Sequence, residues 1–224
     1  MPLQLRTATK DDVPAMGRVA SKAFDPSLDP IASRLFPPHL RSPKQQDIDG
    51  VLAYRKARKA IVVDDTENLA VKVIVDDELD GQIVGVAVWE LPRDEAPGSA
   101  EVGKSKPQAA APTPPPEMDQ DAVGEVKSIL ANDAVEALGK DGVAHVYHLQ
   151  LIAVDPAQQK RGIGRILVNW GVQQADKRAK KCYLFASEAG RRLYLSVGFE
   201  VVREVSVFGF PHYSMIRQPA ETSS

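Results

Sequence analysis

Short runs of alternating apolar and polar residues occur throughout this 224-residue chain and predict a protein rich in short strands. Between several of these runs, apolar residues recur three and four positions apart, which predicts amphipathic helices. The predicted helices begin after the acidic cap Lys10-Asp11-Asp12, near Lys44, near Val126 and at Ile163. The predicted strands are Leu3–Thr7, Leu69–Val75, Gln82–Glu90, a strand from about Ala144 to Val154, one that contains Cys182 and Leu184, Val201–Phe208 and His212–Arg217.

Two stretches lack both patterns. Residues 24–42 are interrupted by four prolines and are predicted to be irregular. Residues 92–117 are dominated by proline, alanine, glycine and serine, and we interpret them as an extended, mobile insertion. This insertion is either a solvated linker or a flap over a substrate site. Residues 218–224 are expected to form a frayed tail, which leaves 1–217 as a single domain.

The most informative stretch runs from Leu151 to Arg165, where an apolar strand enters a basic, glycine-containing turn and then an amphipathic helix. Gly162 and Gly164 let the backbone approach a ligand, and the first N–H groups of a helix have no internal acceptor. With Lys160, Arg161 and Arg165 these donors predict a pyrophosphate site, the alternative being a tight turn with solvated basic residues. The glycine spacing matches neither the Rossmann fingerprint nor a P-loop.

The six residues Gln159-Lys160-Arg161-Gly162-Ile163-Gly164 resemble the acetyl-coenzyme A (acetyl-CoA) signature of the GCN5-related N-acetyltransferases, Arg/Gln-x-x-Gly-x-Gly/Ala. Residues 149–156 upstream are similar to the fourth strand of that family, and residues 184–199 resemble its second signature. The resemblance implies an α/β (α+β) fold with a mixed, mostly antiparallel central sheet of six to seven strands flanked by helices. The expanded connection between strands three and four departs from the family pattern.

By this resemblance, acetyl-CoA is the expected co-substrate. Its pantetheine arm and thioester would lie against backbone groups of the fourth strand, and its pyrophosphate against the signature loop. Ser187 stands where many relatives carry asparagine, so a hydrogen bond from this position to the pantetheine arm is uncertain. The expected cofactor-binding residues are Ile152, Ala153, Val154, Gln159, Lys160, Arg161, Gly162, Ile163, Gly164, Arg165 and Ser187.

Three residues are candidates for proton transfer. The resemblance points to Tyr194 as the acid that protonates the leaving thiolate, and we expect it to project away from Leu193 and Val197. His148 lies where several relatives place a catalytic base, and Glu90 is the reserve candidate. The alternatives are a core tyrosine and a structural histidine. No third ligand accompanies His145 and His148, so no metal site is expected.

Simple strand alternation puts the side chain of His148 on the same face as Gln150, Ile152 and Val154, and Tyr147, Leu149 and Leu151 on the other. Acceptor pockets in the family are formed by the first helices, the loop between them and the final hairpin. The matching segments are Phe24–Arg58 and Val205–Tyr213. Their aromatic residues Phe36, Tyr54, Phe208, Phe210 and Tyr213 predict an apolar wall and favour a small amine as the acceptor.

The predicted activity is transfer of an acetyl group to a primary amine by direct attack in a ternary complex. The alternatives are a noncatalytic acyl-CoA sensor or scaffold, and an acyltransferase that acts on a protein amine or a hydroxyl. A homodimer through the last strands is compatible with the resemblance.

Composition narrows the functional classes. The net charge of −2 and the sequence pI of about 6.1 give no general attraction to nucleic acid or to an anionic membrane. The single cysteine, Cys182, leaves no intrachain disulfide and no dithiol chemistry. Because the N-terminal residues have no apolar signal core, we expect a cytoplasmic protein.

Overall fold

A computed structural model describes residues 2–40, 45–93 and 111–220 of the chain, and the side chains of residues 45–49 are left out of the description. Its centre is one seven-stranded sheet in the order β1-β2-β3-β4-β5-β7-β6. Neighbouring strands are antiparallel except β4 and β5, which are parallel. The strands are β1 Leu3–Thr7, β2 Leu69–Asp76, β3 Gln82–Glu90, β4 Tyr147–Val154, β5 Cys182–Ser187, β6 Glu200–Val207 and β7 Phe210–Arg217.

Six α-helices flank the sheet in the part of the chain that the structure describes, which confirms the expected fold class. None of these helices is both long enough and apolar enough to cross a membrane. We call the side covered by the fifth and sixth helices the α5 face and the opposite side the α1 face. The helices are α1 Val13–Ala23, α2 Pro30–Leu35, α3 Gln45–Asp64, α4 Gln120–Leu138, α5 Ile163–Lys177 and α6 Glu188–Leu195.

The α5 face holds the larger apolar core, in which α5 lies very close to the sheet. A Cβ atom at Gly171 of α5 would come within 2.3 Å of the Trp89 ring, and one at Gly85 of β3 within 2.6 Å of Ile163. Glycine is therefore required on both sides of this contact. The close approach fixes where α5 begins relative to the end of β4.

The α1 face combines a smaller apolar core with a buried polar cluster. Met16 and Val19 of α1 pack with Val63 of α3 against β2, β3 and β4. Further along the sheet, α4 is joined to the strands through Asp133, which is 3% exposed and accepts a hydrogen bond of 2.7 Å from the Tyr183 hydroxyl. Ser214 donates to the same carboxylate, and Arg203 of β6 lies beside it.

Several predicted boundaries change. Within residues 24–42, predicted to be irregular, Asp29 caps the short helix α2 by accepting a hydrogen bond from the Ala32 N–H. The helix predicted from about Lys44 to Arg58 is α3, which extends to Asp64. The helix predicted near Val126 to be short is α4, which spans 19 residues. Residues 94–110 of the predicted insertion and 221–224 of the predicted tail lie outside the described residues. The described end of the insertion is packed, because Pro115 and Glu117 are buried beside α4.

Candidate active site

A gap opens between β4 and β5 because their pairing stops early. The two strands pair only where Tyr147, His148 and Leu149 face Cys182, Tyr183 and Leu184. Beyond that point β4 continues along β3 as far as Val154, whereas β5 continues along β7 as far as Ser187. Residues 150–154 and 185–187 therefore border a wedge whose inner edges have lost their neighbouring strand.

A β-bulge at Gln150 changes the direction of the side chains on β4. Leu149 lies opposite Trp89 and Leu151 opposite Val88, so Gln150 is the extra residue. After the bulge, Ile152 and Val154 pack into the α5-face core beside Tyr147 and Leu149, and Leu151 packs into the α1-face core. The predicted alternation is therefore wrong after Gln150: His148 lies on the opposite face from Ile152 and Val154.

The bulge also sets the direction of the backbone groups at the gap. The N–H of Asp155 donates to the carbonyl of Val84 at 2.9 Å and so points toward β3. Because successive residues of a strand point their backbone groups to opposite sides, those of Val154 and Ile152 point into the gap and those of Ala153 point toward β3. Of the three residues predicted to contact the cofactor through their backbone, Ile152 and Val154 therefore face the wedge and Ala153 does not.

The signature loop connects the end of this gap to α5. Lys160 and Gly162 both have left-handed backbones, with φ of 63° and 81°, and α5 begins at Ile163. The first N–H groups of α5, including those of Ile163, Gly164 and Arg165, have no acceptor inside the helix. A Cβ at Gly164 would lie 3.0 Å from Leu193, so glycine lets α6 approach the loop.

The three basic residues of the loop differ in their freedom. The Arg161 guanidinium donates at 2.5 Å to the carboxylate of Asp76, whose side chain is fully buried, and at 2.5 Å to Gln158. Arg165 donates to the Ser196 hydroxyl at 3.0 Å, and Lys160 is exposed. Arg161 therefore braces the loop, whereas Lys160 and Arg165 are exposed at the candidate anion site.

On the α1 face, His148, Glu90 and Gln150 form one hydrogen-bonded group. His148 Nδ1 lies 3.0 Å from Glu90 Oε2, and the Gln150 amide donates to the same oxygen at 2.9 Å. Burial disfavours the charged form of Glu90, but the bonds from His148 and Gln150 outweigh it and lower the pKa of this carboxyl. An ionised Glu90 selects the His148 tautomer with a proton on Nδ1 and leaves Nε2 as the acceptor.

The ring of His148 lies against a second polar group, which no sequence motif indicated. Its centroid lies 5.3 Å from that of Tyr183, whose hydroxyl is held by Asp133 of α4. Burial and the Asp133 carboxylate raise the pKa of Tyr183, so the phenol stays protonated. Asp133 and Tyr183 are 50 residues apart and belong to no motif, so only the fold brings them together.

The structure places Tyr194 differently from the prediction. It is 6% exposed and packs in the α5-face core, with Leu193 and Val197 against the same cluster rather than on another side. A short helix must bury one face, and here that face carries the tyrosine. Burial raises the pKa of the Tyr194 phenol. Ser187 ends β5 and is exposed at the start of α6.

A cavity of about 430 Å³ lies between the two segments predicted to bind the acceptor. Residues 26–30 and α2 form one side, and Phe208 and Phe210 of the β6–β7 hairpin form the other. Lys22 is bonded to Asp155 at 2.7 Å, so the end of α1 lies at the end of β4. His212 pairs with Ser187, so the hairpin lies at the end of β5. The cavity is therefore on the open side of the wedge.

Not all predicted aromatic residues reach this cavity. Tyr213 packs in the α5-face core, and Phe36 is buried beneath the Arg55 guanidinium, 5.4 Å from its ring centroid. His145 is exposed and lies two residues before the start of β4. Within the described ranges, no group of three metal-ligating side chains occurs.

Comparison with known proteins agrees with this arrangement. The curated relative named probable acyltransferase SID5, from Ajellomyces capsulatus, is 37% identical over 51 residues, which are 23% of this chain. The matched region spans 38% of the length of that relative.

Two solved structures share the whole fold. The histone acetyltransferase HPA2 and related acetyltransferase from Corynebacterium glutamicum is 22% identical, with 100% of both chains covered and a TM-score of 0.59. The PaiA N-acetyltransferase from Thermoplasma acidophilum, solved in complex with coenzyme A, is 10% identical, with 97% of this chain and 99% of that chain covered and a TM-score of 0.54. Residues 118–201 match the family model of the acetyltransferase (GNAT) domain. Residues 118–201 are therefore similar to a GNAT acetyltransferase domain, and this confirms the resemblance seen in the motifs.

Proposed function

We propose that this protein is an acetyl-CoA-dependent N-acetyltransferase that acts on the primary amine of a small molecule. The observation that carries the proposal is the wedge between β4 and β5, which leads directly into the anion-binding loop at the start of α5. A cofactor with a phosphate at one end and a hydrogen-bonding arm at the other fits this sequence of features. The match to the GNAT domain and the coenzyme A bound to the PaiA enzyme support the same co-substrate class.

The pyrophosphate is assigned to the N-terminus of α5. The free N–H groups of residues 163–165, the positive end of the helix dipole and the exposed Lys160 all favour an anion there. Arg161 acts through the loop, because its guanidinium is fixed by Asp76. The pantetheine arm is assigned to the backbone groups of Ile152 and Val154, which offer unpaired donors and acceptors along the wedge.

His148 is the proposed base. With Glu90 holding the Nδ1 proton, Nε2 carries the lone pair that removes a proton from the acceptor ammonium, directly or through one water. In this proposal the two candidates act as one unit, in which Glu90 orients the imidazole and His148 takes the proton. Gln150 fixes the second lone pair of the same Glu90 oxygen.

The remaining steps use the backbone of β4 and one phenol. As the neutral amine attacks the thioester carbonyl, negative charge develops on the carbonyl oxygen, where the N–H groups that face the wedge can stabilise it. The carbon–sulfur bond then breaks, Tyr194 donates its proton to the departing thiolate, and the nitrogen of the new amide returns a proton to the phenolate. Burial raises the pKa of this phenol, so the phenol is protonated when the thiolate forms.

The size of the cavity favours a small acceptor. A volume of about 430 Å³ lies within the range of small-molecule sites, and the cavity walls come from two short loops rather than from an extended groove. A sensor that only binds acyl-CoA has no use for the His148–Glu90 pair. The paired groups therefore favour catalysis over sensing.

The proposal is tested with acetyl-CoA binding by calorimetry and thiol release against a panel of amines. We expect binding in the wild type, in His148→Ala and in Tyr194→Phe, and a fall in kcat of about 100-fold or more in both variants. His145→Ala is the matched control, because this histidine is exposed and lies outside the hydrogen-bonded group. Binding without turnover on any amine would favour a sensor, and absence of binding would overturn the assignment of the loop.

A further inference from the structure

The cavity on the open side of the wedge has two kinds of wall. One is the loop of residues 26–30, which contains two prolines and Leu28, itself 71% exposed. The other is the pair of rings of Phe208 and Phe210, the latter 47% exposed. Large apolar side chains with this exposure on both sides of a cavity are typical of a binding surface.

The charged groups around the cavity are occupied by partners within the fold. The carboxylate of Asp29 accepts the N–H of Ala32, and the guanidinium of Arg34 is paired with Asp119. Asp119 in turn caps α4 through the N–H of Ala122. The ligand group that enters the cavity therefore meets apolar surface, hydroxyl groups and the Asp29 carboxylate, which is held by the Ala32 N–H.

Phe208 has a backbone conformation that its residue type disfavours. Val207 pairs with Phe210, so Phe208 and Gly209 form a two-residue hairpin turn, with φ of 52° and 84°. Turns with two left-handed residues prefer asparagine, aspartate or glycine at the first position, and a bulky residue there is an outlier. Strained residues of this kind are retained at ligand sites when the strain holds a side chain in place.

The side chain that this strain positions is also clamped from the other wall. The Arg34 guanidinium lies 5.5 Å from the centroid of the Phe208 ring, and Asp119 fixes that guanidinium. The N–H of Asp119 bonds the carbonyl of Leu35 at 2.9 Å, which ties α4 to α2. The ring of Phe208 is therefore a rigid surface, held by the turn below it and by the cation beside it.

We propose that Phe208 determines acceptor specificity, and that the acceptor is a primary amine whose apolar, planar group packs between the Phe208 ring and the 26–30 loop. This inference rests on the proposed function, since it names the class of amine that the same site accepts. A hydrophilic amine of the same length gains nothing from this wall. The amine end of the acceptor points toward the wedge and the His148–Glu90 pair.

The test compares 2-phenylethylamine with ethanolamine as acceptors in the wild type, Phe208→Asn and Phe208→Tyr. We expect Phe208→Asn to raise KM for 2-phenylethylamine roughly tenfold, with KM for ethanolamine and for acetyl-CoA unchanged. Phe208→Tyr keeps the ring and should keep the low KM. Because asparagine tolerates a positive φ, Phe208→Asn should also raise Tm by roughly 2 to 4 °C.

Ala179→Asn is the control for the relief of strain. Ala179 also has a left-handed backbone, with φ of 50°. It lies before the start of β5, whereas Phe208 lies near the opposite end of that strand. This variant should raise Tm to a similar degree and leave both KM values unchanged. Binding of acetyl-CoA without turnover of any amine in the panel overturns the proposed function, whereas turnover of other amines but not of 2-phenylethylamine overturns the specificity inference alone. Turnover of both amines with equal kcat/KM, or an unchanged KM ratio in Phe208→Asn, overturns the specificity inference and leaves the transferase intact.

Discussion

The two faces of the sheet are built on different principles. On the α5 face, apolar side chains fill the space so closely that glycine is required at Gly171 and Gly85. On the α1 face, the interior includes the buried charges Asp133 and Lys59, and Glu117 has a buried carboxylate oxygen without a hydrogen-bond partner. The α5 face carries the loop proposed to bind the cofactor and the proposed acid Tyr194, and the α1 face carries the proposed base His148 with Glu90.

This difference shows which part of the molecule is free to change. A phosphate is bound by backbone N–H groups, so the α5 face needs only a correctly placed helix, and packing alone supplies that. Removal of a proton from an acceptor needs oriented polar side chains, which cost stability when buried. Removal of an unpaired buried charge from the α1 face should therefore raise stability, and added volume on the α5 face should lower it.

The largest expected effect comes from Gly171→Ala. The new methyl group would lie 2.3 to 2.5 Å from three atoms of the Trp89 ring, which is fully buried, so either the ring or α5 must move. We expect a loss of about 3 kcal/mol in the free energy of unfolding, measured by urea titration. Gly124→Ala in α4 is the control, because no atom lies within 4 Å of its Cβ position, and it should gain about 0.5 to 1 kcal/mol.

Lys59→Met should change stability in the opposite direction. Lys59 is 8% exposed in α3, and burial, with the nearby Arg58 and Arg55, lowers the pKa of its ammonium to about 8. Because the unfolded chain binds the proton more tightly, the lysine destabilises the fold fully below pH 8, and this cost disappears as the pH rises through the unfolded pKa. Methionine should add about 2 to 3 kcal/mol at pH 7 and almost nothing above a pH of about 10.5. An equal gain at both pH values would show that charge is not the cause.

Two buried tyrosines offer a finer comparison of the faces. Tyr183 on the α1 face donates to Asp133, whereas the Tyr194 hydroxyl on the α5 face makes no hydrogen bond with any described residue. Tyr183→Phe should cost about 1 to 2 kcal/mol of unfolding free energy, and Tyr194→Phe less than about 0.5 kcal/mol. Turnover should follow the reverse order, with the larger loss in Tyr194→Phe. Equal losses of stability would contradict the assignment of the polar network to one face.

The smallest expected effect is a pH dependence at the start of α1. Arg6 and the Thr9 N–H hydrogen-bond the Asp12 carboxylate, and these bonds outweigh burial and lower its pKa to about 2. The stabilisation is present above the unfolded pKa and is lost as the pH falls from about 4 toward 2. Since Arg6 is 43% exposed and solvent screens the pair, about 1 kcal/mol is expected. Asp12→Asn should remove this slope from acid unfolding curves. Asp176→Asn is the control and should keep the slope that Asp12 causes.

Local patterns predicted the parts of the fold that depend on local chemistry. The strands Leu3–Thr7 and Gln82–Glu90 and the glycine turn before α5 follow from alternation and from the needs of a tight turn. The bulge at Gln150 did not follow, because it is set by pairing with β3 and leaves no periodic signal. Once the bulge shifts the register by one residue, every later side chain of β4 changes face.

The rest of the candidate site depends on contacts between distant residues. Arg161 looked like a phosphate ligand from its place in the loop, but its partner Asp76 is 85 residues away. His148 and Glu90 were separate candidates because they are 58 positions apart in the sequence, and only the β3–β4 pairing makes them one unit. The sequence could name the residue types needed, whereas tertiary packing decided which of them are free to act.

Only three residue pairs hold β4 and β5 together, and this makes the protein two half-sheets joined along a short seam. A molecule that hydrogen-bonds along the open part of the seam acts as a missing strand, so binding and folding share one surface. At a ligand concentration one hundred times Kd, such a molecule adds about 2.7 kcal/mol to the unfolding free energy. Amide exchange should then slow together on both half-sheets, because the bound molecule turns two neighbouring units into one cooperative body.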